Sequence, residues 1–275
     1  MKDSAPRVYL LDVEGTVAPI SFVYEQLFPY ARAHFVEFVR AAFDPLPPQF
    51  DESFALSERG KILSDMLSLA WENLKETDLD APRGYSRLFP GFDQLKTTGG
   101  TGVLARVDPE QLISNSLEYI YWLMDRDRKS TALKSLQGKI WKAGFESGEL
   151  KGTLFADVPD ALARWSAEGK VAIYSSGSVE AQRLLFRHSI FGHLTGLISA
   201  YFDTRTGPKS EPASYAAIAA AMGVAPDEVI FFSDVVRELD AAREAGCGTR
   251  LVVREGNAPV EDAHGHAAVE SFVLL

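Results

Sequence analysis

Four short apolar segments, each followed by polar residues, constrain the fold of this chain more than any other feature. They are residues 8–11, 171–174, 229–232 and 251–253. Runs of three or four apolar residues are typical of strands that are buried on both faces, as in a parallel sheet. Helical patterns alternate with them at 158–167, 179–186, 211–222 and 240–245. This alternation predicts an α/β fold whose core is a doubly wound parallel sheet.

Residues 18–148 break the alternation and predict a helical insertion between the first and second strands of the sheet. Apolar residues recur at helical spacing in three segments, 28–43, 113–124 and 133–140. The helix of the second segment is predicted to start at Asp108 and Pro109, a typical N-cap with proline at the first helical position. We therefore expect a core domain of residues 1–17 and 149–275, with residues 18–148 as a helical cap domain.

The charge and composition of the chain exclude several classes of partner. Lys and Arg number 28 against 38 Asp and Glu, which gives a net charge of −10 at pH 7. Such a surface repels phosphate backbones and anionic lipid, so we expect no nucleic-acid and no membrane partner. A single cysteine excludes an intramolecular disulfide and suits a reducing compartment, so we expect a cytoplasmic protein. A small anionic substrate would need a local cation or a metal ion.

Three other features are interpreted as structural rather than functional. Cys247, between two glycines, is expected to be a small packing residue. His264 and His266 lie in a polar segment and are expected to be solvated loop residues. Residues 97–102, rich in Gly and Thr, are expected to form a flexible loop, because no Lys-Ser or Lys-Thr follows as in a phosphate-binding loop.

The sharpest local signal comes directly after the first predicted strand, in the sequence Asp-Val-Glu-Gly-Thr of residues 12–16. The carboxylates of Asp12 and Glu14 could bind a hard cation and supply a nucleophile. A carboxylate can attack phosphorus to form an aspartyl-phosphate, which divides hydrolysis into two easier steps. Mg²⁺ is the natural ion because it prefers oxygen ligands and keeps several waters that a substrate phosphate can replace.

Polar residues at the ends of the later strands complete this chemistry. Ser175 and Ser176 offer hydroxyls and backbone N–H groups ahead of a helix, which is a typical anion site. Lys209 could neutralise phosphate or hold Asp12 ionised. Asp234 and Glu238 have a spacing that can serve one metal directly and through water. Because ligands of parallel sheets bind outside the carboxyl ends of the strands, we expect these residues to meet at one place.

These motifs are similar to those of the haloacid dehalogenase-like hydrolases, whose core is a doubly wound sheet interrupted by a cap domain. Within that superfamily the chain resembles the acireductone synthases, the enolase-phosphatases of methionine salvage. Glu14 is a specific mark of that resemblance, because most of the wider superfamily has aspartate there. The segments that carry it are 10–16, 19–23, 27–31, 127–138, 174–182, 201–204, 209, 233–238 and 252–257.

The resemblance implies a metal site with one Mg²⁺ per chain. Asp12 would be both nucleophile and Mg²⁺ ligand, and Asp234 the second metal carboxylate. Glu14 would contribute its backbone carbonyl to the metal and its carboxylate as a general acid or base. For the proton removed in the enol step, Glu14 is the first choice, and Lys209 or a residue of the inserted domain the second.

The resemblance also implies a substrate. Ser175 and Ser176 would bind its phosphate, and Lys209 would contact both phosphate and nucleophile. The family converts 2,3-diketo-5-methylthiopentyl 1-phosphate to its enol phosphate and then to acireductone, 1,2-dihydroxy-3-keto-5-methylthiopentene, and inorganic phosphate. We expect the chain to act on such a small molecule as a monomer.

Two alternative functions stay open at this point. The same residues could serve a phosphatase of the superfamily that acts on another small phosphate ester. Formation of an ultraviolet-absorbing enol before phosphate release would distinguish the two. A non-catalytic phospho-receiver that binds Mg²⁺ is the more remote alternative, because such a module is shorter and takes its phosphate on a middle strand.

Overall fold

The computed structural model describes residues 7–43, 52–85, 108–128 and 130–273. The chain divides into two compact units, one formed by residues 1–27 and 141–275 and the other by residues 28–140. The assignment of 1–17 with 149–275 and of 18–148 to separate domains stays a prediction. The predicted loop at 97–102 lies outside the described residues.

A six-stranded parallel sheet forms the core of the first unit. Its strands are β1 (Val8–Leu11), β2 (Lys170–Tyr174), β3 (Ala200–Phe202), β4 (Val229–Ser233), β5 (Gly248–Val252) and β6 (Ala267–Val269). Their order across the sheet is β3-β2-β1-β4-β5-β6, so the winding reverses beside β1. The predicted α/β fold with a doubly wound parallel sheet is thereby confirmed.

Two of the six strands were not predicted from the apolar pattern. Strands β3 and β6 have three residues each and form the two edges of the sheet. All residues of β3 are half-buried, and two of the three residues of β6 are exposed. Both strands consist of apolar residues, Ala-Tyr-Phe and Ala-Ala-Val, but a run of three residues is too short to be a strong strand signal by itself.

Seven helices of the described residues lie at predicted segments, whereas the helical segments at 22–27, 52–56 and 58–74 are not among those predicted. In chain order they are a π-helical segment (Phe22–Leu27), α1 (Phe28–Phe43), α2 (Glu52–Leu56), α3 (Glu58–Leu74), α4 (Pro109–Asp125), α5 (Thr131–Ser147), α6 (Val158–Glu168), α7 (Val179–Arg187), α8 (Pro212–Met222) and α9 (Val236–Glu244). Short 3-10 turns lie at Thr195–Leu197 and Pro226–Glu228. No helix in the described ranges is long and apolar enough to span a membrane.

Strand β1 is buried on both of its faces. Leu10 belongs to an apolar cluster that includes Tyr215 and Phe231, on the side of helices α8 and α9. Tyr9 points the opposite way and stacks on Trp165 of α6, with 5.0 Å between the ring centroids. Because successive strand residues face opposite sides of a sheet, this burial explains the short continuous apolar run.

The second unit contains α1, α3 and α4, which pack against one another. Phe35 of α1, Met66 of α3 and Ile120 of α4 are fully buried. At the start of α4, the Asp108 carboxylate accepts a hydrogen bond from the backbone N–H of Glu110 at 3.0 Å. The predicted N-cap is therefore confirmed.

The interpretation of His266 as a solvated loop residue is wrong, whereas His264 is exposed in a turn, as expected. His266 is buried, and its ring nitrogens lie 2.7 Å from the Thr249 hydroxyl and 3.1 Å from the Asp240 carboxylate. His264 Nδ1 lies 2.6 Å from the other Asp240 oxygen. Asp240 lies on α9, so these contacts hold the segment before β6 against that helix, which the local polar sequence did not indicate.

Candidate active site

The nucleophile candidate, Asp12, lies directly after the central strand β1. Its backbone N–H continues the ladder to β4 and donates to the carbonyl of Phe232 at 3.0 Å. The Asp12 side chain is buried, and its Oδ1 accepts a hydrogen bond from the Val13 N–H at 2.7 Å. Glu14, two residues later, is exposed. Of the two predicted acids in this loop, Asp12 is therefore buried and Glu14 is exposed.

Lys209 joins Asp12 to a second acid. The Lys209 ammonium lies 2.7 Å from Asp12 Oδ1 and 2.6 Å from Glu238 Oε2, and its side chain is 9% exposed. Burial by itself would lower the pKa of Lys209, but the charges of Asp12 and Glu238 outweigh burial and raise this pKa above its ordinary value. Lys209 is therefore held as a cation beside the candidate nucleophile.

The loop that carries Lys209 is held by three buried hydroxyl groups that donate to consecutive backbone carbonyls. The bonds run from Tyr174 to Gly207 at 2.9 Å, from Ser214 to Pro208 at 2.7 Å and from Tyr215 to Lys209 at 2.7 Å. The sequence does not identify these hydroxyls, because Tyr174 and Tyr215 lie in apolar patterns typical of a core and Ser214 lies within a helix. Only the fold brings β2 and α8 to the same loop.

Glu238 takes a different place from the one that its spacing suggested. It was expected to serve a metal together with Asp234, whereas its carboxylate contacts Lys209 and lies 3.2 Å from the Ser233 hydroxyl. That hydroxyl also lies 3.3 Å from Asp12 Oδ2, so it can donate to either acid. Burial first, and then the charge of Asp12, raise the pKa of Glu238 against the opposing effect of Lys209.

Asp234 lies at the end of β4, against the loop of the candidate nucleophile. Burial, and then the charge of Asp12, raise the pKa of Asp234 to about 7. Gly15 has a φ of +71°, and a Cβ placed on it would stand 2.6 Å from Asp234 Cγ. Only glycine therefore lets the Asp234 carboxylate approach the loop this closely.

The charges of the side chains around Lys209 suit a divalent cation. Asp12, Asp234 and Glu238 are three acids beside one cationic residue, Lys209, and a cation near Asp12 and Asp234 would offset the repulsion that raises the Asp234 pKa. Oxygen donors of this kind fit Mg²⁺, which also keeps several waters. In the described part of the chain no three His, Cys, Asp or Glu side chains are grouped as metal ligands.

The predicted anion site forms a turn between β2 and α7. Ser175 is buried, and its hydroxyl accepts the N–H of Gly177 at 3.2 Å. Ser176 is exposed, and Ser178 caps α7 by accepting the Ala181 N–H at 3.2 Å. The turn thus presents the exposed Ser176 hydroxyl at the N-terminus of a helix, where the backbone dipole favours an anion.

Two side chains that sequence reasoning gave no role hold this turn. Gln182 is buried, and its amide donates to the carbonyls of Gly177 at 2.8 Å and Phe202 at 2.9 Å. The Asp203 carboxylate accepts the Val179 N–H at 3.3 Å. The resemblance covered both residues, but a single sequence does not show which backbone group a distant side chain contacts.

Comparison with known proteins gives one consistent result. The haloacid dehalogenase-like hydrolase family matches residues 6–246 of this chain. A protein of Synechococcus elongatus named Enolase-phosphatase E1 is 46% identical over 254 residues, which are 92% of this chain and 90% of that protein. The Enolase-phosphatase E1 of Leptospira borgpetersenii is 41% identical over 269 residues, covering 97% and 96%.

A solved structure is similar over nearly the whole length. The crystal structure of the UTR4 protein from Saccharomyces cerevisiae aligns with a TM-score of 0.68 and 34% sequence identity. The alignment covers 98% of this chain and all of that one. The similarity in sequence and fold therefore extends over both compact units.

Proposed function

Because this chain belongs to the haloacid dehalogenase-like hydrolases and, among them, to the enolase-phosphatases, we propose that it converts 2,3-diketo-5-methylthiopentyl 1-phosphate to acireductone. It is an enzyme of the phosphatase type. The observation that carries the proposal is the buried ion pair of Asp12 and Lys209 at the carboxyl end of the central strand. The pair places a carboxylate that can act as a nucleophile beside a cation that can balance the charge of a phosphoryl group.

In the phosphatase step, a carboxylate oxygen of Asp12 attacks phosphorus. An O–P bond to Asp12 forms, the bond between phosphorus and the substrate C1 oxygen breaks, and that oxygen takes up a proton as the enol leaves. Water then attacks the aspartyl-phosphate and gives up a proton, which returns the free carboxylate and releases inorganic phosphate. As general acid and then base, Glu14 would donate the first proton and accept the second. Lys209 balances the charge of the transferring phosphoryl group, and Ser175 and Ser176 with the N-terminus of α7 bind its oxygens.

Phosphatases of this family generally use Mg²⁺. We propose that Asp12, Asp234 and the backbone carbonyl of Glu14 would hold one Mg²⁺, which when bound would polarise the substrate diketone and phosphate. The donor set and the crowding of acids around Lys209 support this assignment.

For the enol step we propose Glu14 as the residue that moves the proton. Lys209 is the weaker candidate, because Asp12 and Glu238 raise its pKa and keep it protonated, so it has no free pair to accept a proton. The exposed position of Glu14 at the end of the central strand allows its carboxylate to exchange the proton with solvent afterwards.

An assay on the diketo phosphate tests the function. Ultraviolet absorbance and released phosphate are followed together, with and without a chelator. We expect an absorbance change and stoichiometric phosphate, both abolished by chelation. Phosphate without an enol signal would support the second candidate, a phosphatase for another small ester. A stable phosphorylated protein without turnover would indicate a phospho-receiver instead.

Two further expectations accompany the proposal. We propose that the enzyme acts as a monomer, because the described site residues come from one compact unit of one chain. We also propose a cytoplasmic location, which the single buried cysteine supports, since Cys247 needs no oxidising compartment.

The Gly15→Ala variant tests the metal assignment, with Gly148→Ala as its control. Both glycines have positive φ, +71° and +83°, so alanine strains either backbone by about 1–2 kcal/mol. Only the Gly15 Cβ meets a carboxylate, and nothing lies within 4 Å of one at Gly148.

We expect Gly15→Ala to raise the Mg²⁺ dissociation constant at least about tenfold, because the Asp234 carboxylate must move. Gly148→Ala should bind Mg²⁺ as the unmodified protein does. Titration calorimetry without substrate measures both constants. Equal Mg²⁺ affinity in the two variants would remove Asp234 from the metal site.

A further inference from the structure

The segment at residues 252–257 resembles the family but has no role in the site described so far. It follows β5 and ends in a turn that the Asn257 N–H closes by donating to the Arg254 carbonyl at 3.1 Å. The Asn257 side-chain amide then donates to the Gly15 carbonyl at 2.9 Å and, more weakly, to Val252 at 3.4 Å. The turn therefore contacts the loop of the candidate nucleophile directly.

These two bonds determine which way the Asn257 amide faces. Both neighbours are carbonyls, which only accept, so the NH₂ group must point at them. The oxygen Oδ1 is then on the other side of the amide. It is buried and has no hydrogen-bond partner among the described residues.

The unpaired oxygen lies on the side of the proposed metal carboxylate. A Cβ placed on Gly15 would stand 3.1 Å from Asn257 Oδ1, and the same position overlaps the Asp234 carboxylate. Asn257 Oδ1 and the Asp234 carboxylate therefore both lie close to the same point beside the Gly15 backbone. A buried acceptor without a donor costs about 1–3 kcal/mol, so this position calls for a hydrogen-bond donor.

Arg254 holds the turn in place. Its guanidinium is buried and lies 2.9 Å from Asp157 Oδ2 and 3.0 Å from the Glu270 carbonyl. The rings of Phe155 and Phe272 lie on it, with centroids 4.6 and 4.5 Å from the guanidinium carbon. These contacts of Arg254 fix the turn, and with it the position of Asn257, against the rest of the core unit.

We propose that Asn257 is a positioning residue of the metal site. Its NH₂ group fixes the Gly15 carbonyl, and its Oδ1 accepts a hydrogen bond from the hydration shell of the Mg²⁺ held by Asp12 and Asp234. This inference rests on the proposed function. Groups that orient the ligands of a metal in this way are typically worth 10–100-fold in affinity or activity.

The test compares Asn257→Leu with Glu255→Ala. Leucine has a similar size but neither donor nor acceptor, while Glu255 is exposed on the same turn. We expect Asn257→Leu to raise the Mg²⁺ dissociation constant about 10–100-fold in calorimetry without substrate. Glu255→Ala should leave this constant unchanged. A merely structural role would lower the melting temperature of the metal-free protein without this loss of affinity.

A folded Asn257→Leu protein that binds Mg²⁺ within twofold of the unmodified protein overturns the inference. Should leucine prevent folding, Asn257→Ser goes through the same titration, and failure of both to fold indicates a structural role and also overturns it. The proposed function fails separately, when the unmodified protein binds Mg²⁺ but releases no phosphate from the diketo ester.

Discussion

An Asp12→Asn protein is expected to release phosphate at least about a thousand times more slowly than the unmodified protein, while keeping its fold. Asparagine has the same size as aspartate, but its amide is not a nucleophile and cannot form the phosphoryl ester. Lys209 keeps its second partner, since Glu238 Oε2 lies 2.6 Å from its ammonium, so no buried cation is left alone. Loss of one ion-pair partner therefore affects the chemistry much more than the packing.

The measurement is phosphate release at saturating substrate and Mg²⁺, together with thermal unfolding of each protein. Asp160→Asn is the matched control, because it is the same substitution at an exposed position of α6. We expect that control to turn over normally. Turnover of Asp12→Asn within tenfold of the unmodified protein would exclude Asp12 as the nucleophile.

Lys209→Met is expected to lower phosphate release at least about a hundredfold, because the charge of the phosphoryl group is left unbalanced in a buried site. The variant should also lose stability. The buried Asp12 and the half-buried Glu238 would remain without their cation, and breaking a fully buried pair costs about 3–5 kcal/mol, which is the upper limit here.

The lost stability should depend on pH in a defined direction. The pKa of Glu238 is already raised above its ordinary value of 4.5, and loss of Lys209 raises it further. A carboxyl group with a raised pKa binds a proton more readily in the folded protein than in the unfolded chain. The free energy of unfolding of the variant should therefore rise as the pH falls from 8 toward the ordinary pKa of glutamate.

Urea unfolding at about pH 8 and about pH 5.5 measures this dependence. Lys139→Met is the control, because Lys139 lies 2.6 Å from Asp65 in the second unit but its side chain is about twice as exposed as that of Lys209. It should cost less stability and show no recovery at lower pH. Equal losses in both variants at pH 8 would contradict the role given to the Lys209 pair.

Much of the fold could be predicted because its central strands are buried on both faces. Burial on two sides requires continuous apolar runs, and β1, β2 and β4 each contain one. In β5 only Leu251 and Val252 belong to the predicted run, after three exposed or half-buried residues. The edge strands β3 and β6 are also apolar, but they have only three residues each and were not predicted. The burial of His266 could not be predicted for a different reason, since its Asp240 partner lies 26 residues away on α9.

The meeting of the polar strand ends follows from the same pattern. Asp12, Ser175 and Asp234 each come directly after or near the end of a buried strand. Parallel strands end at one edge of their sheet, so the sequence was enough to expect these residues together. Their catalytic and metal-binding roles stay predictions, which the variants above test.

By itself, then, the sequence determined a parallel α/β core, the edge at which its polar residues gather and the family to which the chain belongs. The tertiary structure alone decided that Glu238 serves Lys209, that three hydroxyls support the Lys209 loop, and that Asn257 contacts Gly15. The physical reason is distance along the chain. Apolar periodicity records whether a residue is buried, whereas a hydrogen bond between residues 242 positions apart depends on how strands and loops are finally placed.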